Sequence, residues 1–249
     1  MVLALKLYEA TKDNYYLEVG KKFYHWIDKY LKDPERGVVW NSWLTTTSAV
    51  CPDLYTYNTG TLLQAAVALY NYTGEQAYLD NAKFLAEGSY KVFFKYTEEG
   101  IPYIADLPWF NLVLFRGYHD LYNVTGDPKY VDTMIKGLDY AWDHARDQAG
   151  LMYHDWTGRT DEKRRPKWLL DASCVPEYYA RVAMIKGEVK TERLGSRSIE
   201  KPPTMNRTNI RIHILYQIWT IRCFAPYETC QNQQATYPFQ FHHLFIFLF

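Results

Sequence analysis

Aromatic rings stand next to amide or carboxylate side chains at several points of the chain. A flat ring can stack on the face of a pyranose, while an amide or carboxylate hydrogen-bonds the hydroxyl groups of the sugar. The segments Tyr55–Gly60, Asp106–Trp109 and Asp155–Trp156 have this composition. From them we predict a carbohydrate-binding cleft with the substrate-binding residues Tyr57, Asn58, Gly60, Asp106, Trp109, Asp155 and Trp156.

Several of these residues also have a purely structural interpretation. Asn58 is a suitable N-cap for a helix, because its side chain accepts hydrogen bonds from backbone N–H groups. Gly60 permits the close approach of either a ligand or a second helix. His154 is a weaker candidate, since no metal ligand or nucleophile is recognisable beside it.

An internal repeat predicts the elements that hold these residues. Leu7–Leu17, Leu69–Leu79 and Leu121–Val131 align without gaps, with a Leu-Tyr pair, a threonine and a second tyrosine at equivalent positions. Each copy predicts a helix, a tight turn and a second helix with apolar residues three and four positions apart. Gly74 and Gly126 fit a left-handed position after the first helix, where the first copy has Lys12.

The repeats predict seven helices and a ring-like arrangement. After each second helix comes a glycine and a short extended stretch, at Gly37, Gly100 and Gly150. Such hairpins place their longer loops on one face. We predict an all-α fold, a partial (α/α)6 toroid of helical hairpins. The predicted helices are Met1–Ala10, Tyr16–Leu31, Asn58–Tyr72, Gln76–Tyr96, Pro108–Tyr122, Lys129–His144 and Asp171–Ile185.

Composition excludes several classes of partner. The chain has 28 Lys and Arg against 28 Asp and Glu, so no overall field favours a nucleic acid or an anionic membrane. No apolar run approaches the length of a membrane span. Four cysteines without zinc-like spacing predict no metal site, and we expect no cofactor.

The last sixty residues differ from the rest of the chain. The helical periodicity of the apolar residues stops, and the sequence from Lys190 onward contains seven basic and three acidic residues. We predict an incomplete helical domain over residues 1–189 and an irregular, non-native or disordered tail over 190–249. A basic binding tail is the alternative.

Two turns of the repeat also match the acceptor pattern for N-glycosylation, as Asn71-Tyr-Thr73 and Asn123-Val-Thr125. Turn chemistry would account for both without a glycan. A third match is Asn206-Arg-Thr208.

The block Tyr55-Thr-Tyr-Asn-Thr-Gly60 resembles the signature Trp-Thr-Tyr-Asn-Gln-Gly of glycoside hydrolase family 76, with Tyr55 in place of Trp and Thr59 in place of Gln. Further motifs in matching order extend the resemblance over most of residues 1–189. They are Asp33–Trp40, Pro108–Phe110, Leu114–Tyr118 and the connection from Gly150 to Trp156.

This resemblance implies an (α/α)6 barrel, retaining endo-hydrolysis of α-1,6-mannosidic bonds, and mannan or mannooligosaccharide as the ligand. It also implies a secreted, periplasmic or cell-surface location, which the residues themselves leave open. The family draws its nucleophile and its acid/base from an adjacent Asp-Asp pair on a helix preceding the region that matches Met1–Ala10. This sequence has no two consecutive aspartates, so we assign no catalytic residue.

We therefore expect the chain to begin inside a barrel and the isolated polypeptide to be inactive. We also expect self-association through exposed terminal helices, because each hairpin of a ring packs on two neighbours. The alternative is a non-catalytic helical-hairpin protein that binds a glycan or a protein. Other toroid enzymes, such as sugar epimerases or unsaturated glucuronyl hydrolases, fit less well. Epimerase chemistry would need paired histidines, and His25, His119 and His144 do not form such a set.

Overall fold

A computed structural model describes residues 1–160 and 166–187. The predicted tail, residues 190–249, lies outside this range, and the domain division stays a prediction. All seven predicted helices are present, with each boundary within three residues of its predicted position. They are α1 (Val2–Thr11), α2 (Asn14–Tyr30), α3 (Thr56–Thr73), α4 (Gln76–Phe93), α5 (Pro108–Thr125), α6 (Lys129–His144) and α7 (Leu169–Ile185).

Two small β-hairpins occupy stretches between the helical pairs. Strands β1 (Trp40–Leu44) and β2 (Ala49–Leu54) pair antiparallel, with Trp43 opposite Val50. Strands β3 (Phe94–Tyr96) and β4 (Pro102–Ile104) also pair antiparallel. The sequence predicted extended chain after Gly37 and Gly100 but not its pairing. Ala49–Leu54 had no recognisable strand pattern, and Phe94–Tyr96 was wrongly predicted as the last turn of the helix Gln76–Tyr96.

The tight turns have the same geometry in all three copies. Lys12, Gly74 and Gly126 have φ values of 58°, 73° and 72°, all in the left-handed region. Each donates its N–H to the carbonyl of the repeated tyrosine, Tyr8, Tyr70 or Tyr122, at 2.8 Å. The predicted left-handed conformation of Gly74 and Gly126 is thus confirmed, and Lys12 adopts a conformation that favours glycine.

The first helices of the three hairpins pack side by side, so that α3 lies between α1 and α5, and α5 also contacts α7. The second helices, α2, α4 and α6, each pack on the first helix of their own hairpin. The core is centred on α3 and α5, where Leu62, Leu69, Leu114 and Phe115 are fully buried. Burial of these side chains contributes about 1.5–3 kcal/mol each to folding.

Helices α3 and α5 approach closely at Gly60. A Cβ atom added to Gly60 would lie 2.5 Å from the Cα of Leu114, and Gly117 of α5 similarly faces Leu63. The glycine therefore permits backbone contact between the two central helices.

The terminal helices have exposed apolar side chains. Leu3 on α1 is 52% exposed, Leu169 on α7 is 63% exposed, and Trp168 just before α7 is 60% exposed. Within the described residues, no helix combines the length and the apolar character needed to cross a bilayer.

Candidate substrate-binding site

An aromatic cluster lies where α3 and α5 begin. Tyr57 and Trp109 have nearly parallel rings, with an interplanar angle of 12° and centroids 6.3 Å apart. Phe110 packs against both, with centroid distances of 4.5 Å to Tyr57 and 4.2 Å to Trp109. Tyr55 also stacks on Tyr57, with ring centroids 5.9 Å apart. The loop face therefore contains a half-buried aromatic surface of a kind that suits sugar rings.

Amide groups border this surface. The Oδ1 atom of Asn41, on β1, accepts a hydrogen bond from the Tyr57 hydroxyl at 3.2 Å and from the Asn58 Nδ2 at 3.4 Å. Burial raises the pKa of Tyr57, so its hydroxyl stays protonated and available as a donor at neutral pH. Sequence reasoning missed Asn41. The available signal was its place four residues after Gly37, which His154 shares after Gly150.

Asn58 does not cap α3. The helix begins at Thr56, so Asn58 lies in its first turn, and its side chain turns to Asn41 instead. The interpretation of Asn58 as an N-cap is therefore wrong, because the helix starts two residues earlier than predicted.

Asp106, which precedes α5 in the neighbouring hairpin, caps the start of α3 instead. Its Oδ2 accepts the backbone N–H of Thr56 at 2.9 Å and lies 3.0 Å from the Thr56 hydroxyl. The same hydroxyl lies 3.0 Å from Oδ1 of Asn111, a buried residue of α5. Because one carboxylate oxygen holds the start of α3, Asp106 positions Tyr57 and Asn58 relative to Trp109.

Polar atoms of the two tryptophans point inward. The indole N–H groups of Trp109 and Trp156 are buried and have no acceptor among the described residues. Ring faces and edges, rather than the indole N–H, are therefore the parts of Trp109 open to a ligand.

Asp155 and Trp156 lie in the loop that follows α6. Asp155 Oδ1 accepts from the Thr157 N–H and hydroxyl, and its Oδ2 accepts from those of Thr160. Burial alone would raise the pKa of Asp155, but these hydrogen bonds hold it below its ordinary value. Trp156 packs edge-on against Tyr178 of α7, at a centroid distance of 5.1 Å. Both residues organise the loop after α6, and their contact with sugar stays a prediction.

Gly60 lies at the contact between α3 and α5 described above, with its backbone buried. The structure therefore accounts for Gly60 by helix packing. Of the seven predicted residues, four come together: Tyr57, Asn58, Asp106 and Trp109.

A second polar group lies between α5 and α7. The guanidinium of Arg116 holds Glu177 through two hydrogen bonds of 2.7 and 2.5 Å, and Arg181 adds a third at 2.9 Å. Burial would raise the pKa of Glu177, but Arg116 keeps it below its usual value. Burial and the nearby Arg181 lower the pKa of His119 to about 4, so this imidazole is neutral at pH 7.

Comparison with known proteins identifies the family. A profile of glycosyl hydrolase family 76 matches residues 1–118. A solved family-76 glycoside hydrolase from Bacteroides thetaiotaomicron VPI-5482, described as a mannosidase, is 31% identical, with a TM-score of 0.66 over 75% of this chain and 53% of that chain. These matches support the assignment of the chain to glycoside hydrolase family 76. Its fold is accordingly a partial six-hairpin toroid, as predicted.

Other family-76 structures agree. One from a bovine B. thetaiotaomicron strain is 28% identical, with a TM-score of 0.67 over 74% of this chain and 42% of that one. An inactive variant of the α-1,6-mannanase of Salegentibacter sp. HEL1_6, with two adjacent aspartates replaced by alanine, was solved in complex with α-1,6-mannotetrose. It is 25% identical, with a TM-score of 0.60 over 73% of this chain and 56% of that chain. No curated protein matches the chain.

The chain spans about half of the length of these family-76 structures. Across residues 1–160 and 166–187, no three His, Cys, Asp or Glu side chains are grouped as metal ligands. The described residues thus form part of a glycoside-hydrolase-like helical fold, with aromatic and amide groups at the starts of α3 and α5.

Proposed function

We propose that this chain binds α-1,6-linked mannan or mannooligosaccharides through the loop-face surface formed by Asn41, Tyr57, Asn58 and Trp109. The observation that supports the proposal is the convergence of two parallel rings and two amides at the starts of α3 and α5. Rings can pack against the apolar faces of mannose, while Asn58 and Asn41 exchange hydrogen bonds with its hydroxyls. Asp106 is a positioning residue, since its carboxylate is engaged with Thr56.

We further propose that the 249-residue chain binds without hydrolysing. Retaining hydrolysis needs a carboxylate nucleophile and a second carboxyl group as acid and base, about 5–5.5 Å apart. The sequence contains no adjacent aspartate pair of the kind replaced in the inactive Salegentibacter variant. We therefore assign the mannanase activity of the family to those polypeptides that contain such a pair of aspartates.

Calorimetric titration of the full chain with α-1,6-mannotetraose tests the binding proposal. We expect measurable binding that Trp109→Ala weakens at least about tenfold, equivalent to about 1.4 kcal/mol. Trp26→Ala is the matched control, since Trp26 is 43% exposed on α2 and makes its ring contact with Tyr30. Equal affinities of the wild type and the Trp109 variant would contradict the proposal.

Proton NMR of the same mixture tests the proposal that the chain does not hydrolyse the oligosaccharide. We expect no new reducing ends. Release of product with retained anomeric configuration would show that the chain contains its own carboxylate pair, while leaving the binding proposal intact.

The exposed terminal helices favour a second candidate function, contact with another polypeptide. Leu3 on α1 and Leu169 on α7 have more than half of their surface exposed. We propose that these two flanks associate, either with another copy or with a different protein. Sedimentation of the full chain should show self-association that Leu3→Glu combined with Leu169→Glu reduces. Leu44→Glu, on an exposed β1 position, is the control and should change nothing. A monomer at all concentrations would exclude association between copies.

A further inference from the structure

The turns that follow α3 and α5 contain a threonine whose hydroxyl has a structural role. Thr73 donates to the carbonyl of Leu69 at 2.9 Å and accepts the Glu75 N–H at 3.2 Å. Thr125 repeats this pattern, donating to Leu121 at 3.0 Å. The threonines of both acceptor patterns are therefore explained by the turn, as the sequence predicted.

The asparagines of the same patterns are not. Asn71 and Asn123 lie two residues before these threonines, are exposed, and make no side-chain hydrogen bond with any described residue. The first repeat builds the same turn with Glu9 at this position and Thr11 bonded to Leu7 at 2.8 Å. Since the turn forms without the amide, turn chemistry does not account for Asn71 or Asn123.

We propose that Asn71 and Asn123 are N-glycosylation sites. Both satisfy the Asn-x-Thr pattern with a residue other than proline between them. The co-substrate would be a lipid-linked oligosaccharyl pyrophosphate. A bond forms between the asparagine Nδ2 and the anomeric carbon of the first sugar, the bond from that carbon to the phosphate oxygen breaks, and the lipid pyrophosphate leaves as the amide loses a proton.

The structure has room for both glycans away from the candidate mannan site. Asn71 lies 13 residues along α3 from Asn58, and Asn123 lies 14 residues along α5 from Trp109. At 1.5 Å per residue each glycan would begin about 20 Å from the aromatic surface. Bulky polar sugars on these exposed turns would leave the binding face open and increase solubility.

The test is secretion of the full chain from a eukaryotic host behind a cleavable leader. All variants contain Asn206→Gln, which removes the third acceptor pattern, outside the described residues. After enzymatic removal of N-glycans, peptide mass spectrometry should find residues 71 and 123 converted from Asn to Asp. Asn71→Gln and Asn123→Gln should each remove one step of the mobility shift, and the double variant should remove both.

Two further variants separate the acceptor pattern from the turn. Thr73→Ser preserves both the hydroxyl and the pattern, so modification at Asn71 should persist. Thr73→Val removes both and should abolish it. In the first repeat, Glu9→Asn creates an acceptor pattern on an equivalent turn and should add one step. Protein retained inside the cell is analysed together with the secreted protein, because the glycan is transferred before the chain folds. Unmodified Asn71 and Asn123 in both fractions would overturn the proposal.

Discussion

The central helices α3 and α5 bury much more of their surface than the terminal elements, which are the α1–α2 hairpin and α7. In α3 and α5, Leu62, Leu114 and Phe115 have no exposed surface, because each of these helices has a packed neighbour on both sides. On α1 and α7, Leu3 and Leu169 are more than half exposed. Amphipathic periodicity therefore predicts that a helix forms, whereas the number of flanking hairpins decides how much of it is buried.

The largest test of this difference is truncation of one aromatic side chain in each region. Phe115→Ala should lower the free energy of unfolding by about 3–5 kcal/mol, since it leaves a cavity in the centre. Phe23→Ala, 53% exposed on α2, should change it by no more than about 0.5 kcal/mol. Urea denaturation measures both. Similar losses would mean that the flanks are as well packed as the centre.

A smaller effect is expected from adding one methyl group to a glycine in each region. Gly60→Ala meets the backbone of Leu114, which cannot rotate away, and should cost about 1–3 kcal/mol. Gly20→Ala, on α2, meets the end of the Leu5 side chain instead. That side chain can change rotamer, and alanine improves helix propensity, so the net change should stay within about 1 kcal/mol. A larger loss for Gly20→Ala, in thermal melts of the pair, would reverse the comparison.

The carboxyl group of Asp120, on α5, provides a test of the electrostatic interactions between α5 and α1. Burial raises its pKa to about 6, opposed by Arg181 and Lys6. The folded state therefore holds the proton more tightly than the unfolded state, and stability falls as pH rises from about 4 to 6. Asp120→Asn should remove this loss, adding about 1–2 kcal/mol at pH 7.5 and nothing near pH 4.

Urea denaturation at the two pH values measures the effect, with Asp132→Asn on an exposed position of α6 as the control. A gain of the same size at both pH values would assign the effect to packing and not to ionisation.

The smallest effect is expected at the repeated turn. Lys12→Gly should stabilise the terminal hairpin by about 0.5–1 kcal/mol, because Lys12 has a φ of 58° that glycine adopts without steric cost. Gly74→Lys, at the equivalent central turn, should destabilise by a similar amount. If neither exchange changes the midpoint of unfolding, the two turns differ in some way that their shared hydrogen bond does not reveal.

Local features of the fold followed from the sequence, and long-range ones did not. Helix existence, the left-handed conformation of Gly74 and Gly126, and the repeated threonine turn depend on neighbours within a few positions, and these were predicted. The start of α3 was placed two residues too late because its cap, Asp106, is distant in sequence. Asn41 was missed for a related reason: its partners Tyr57 and Asn58 lie on another element. The residue type of Gly60 indicated the close approach of a ligand or of a second helix, and the structure shows that α5 makes this approach.

The bond between Asp106 and Thr56 has a consequence for the order in which the molecule assembles. Synthesis proceeds from the N-terminus, so α3 is complete well before Asp106, 50 residues after Thr56, is added to the chain. Until then the first amide of α3 has no side-chain cap, and its first turn can fray. The candidate sugar-binding end of this helix therefore becomes ordered only when the following hairpin has been made, and a ribosome-bound chain that ends before Asp106 would have the helix without a finished binding surface.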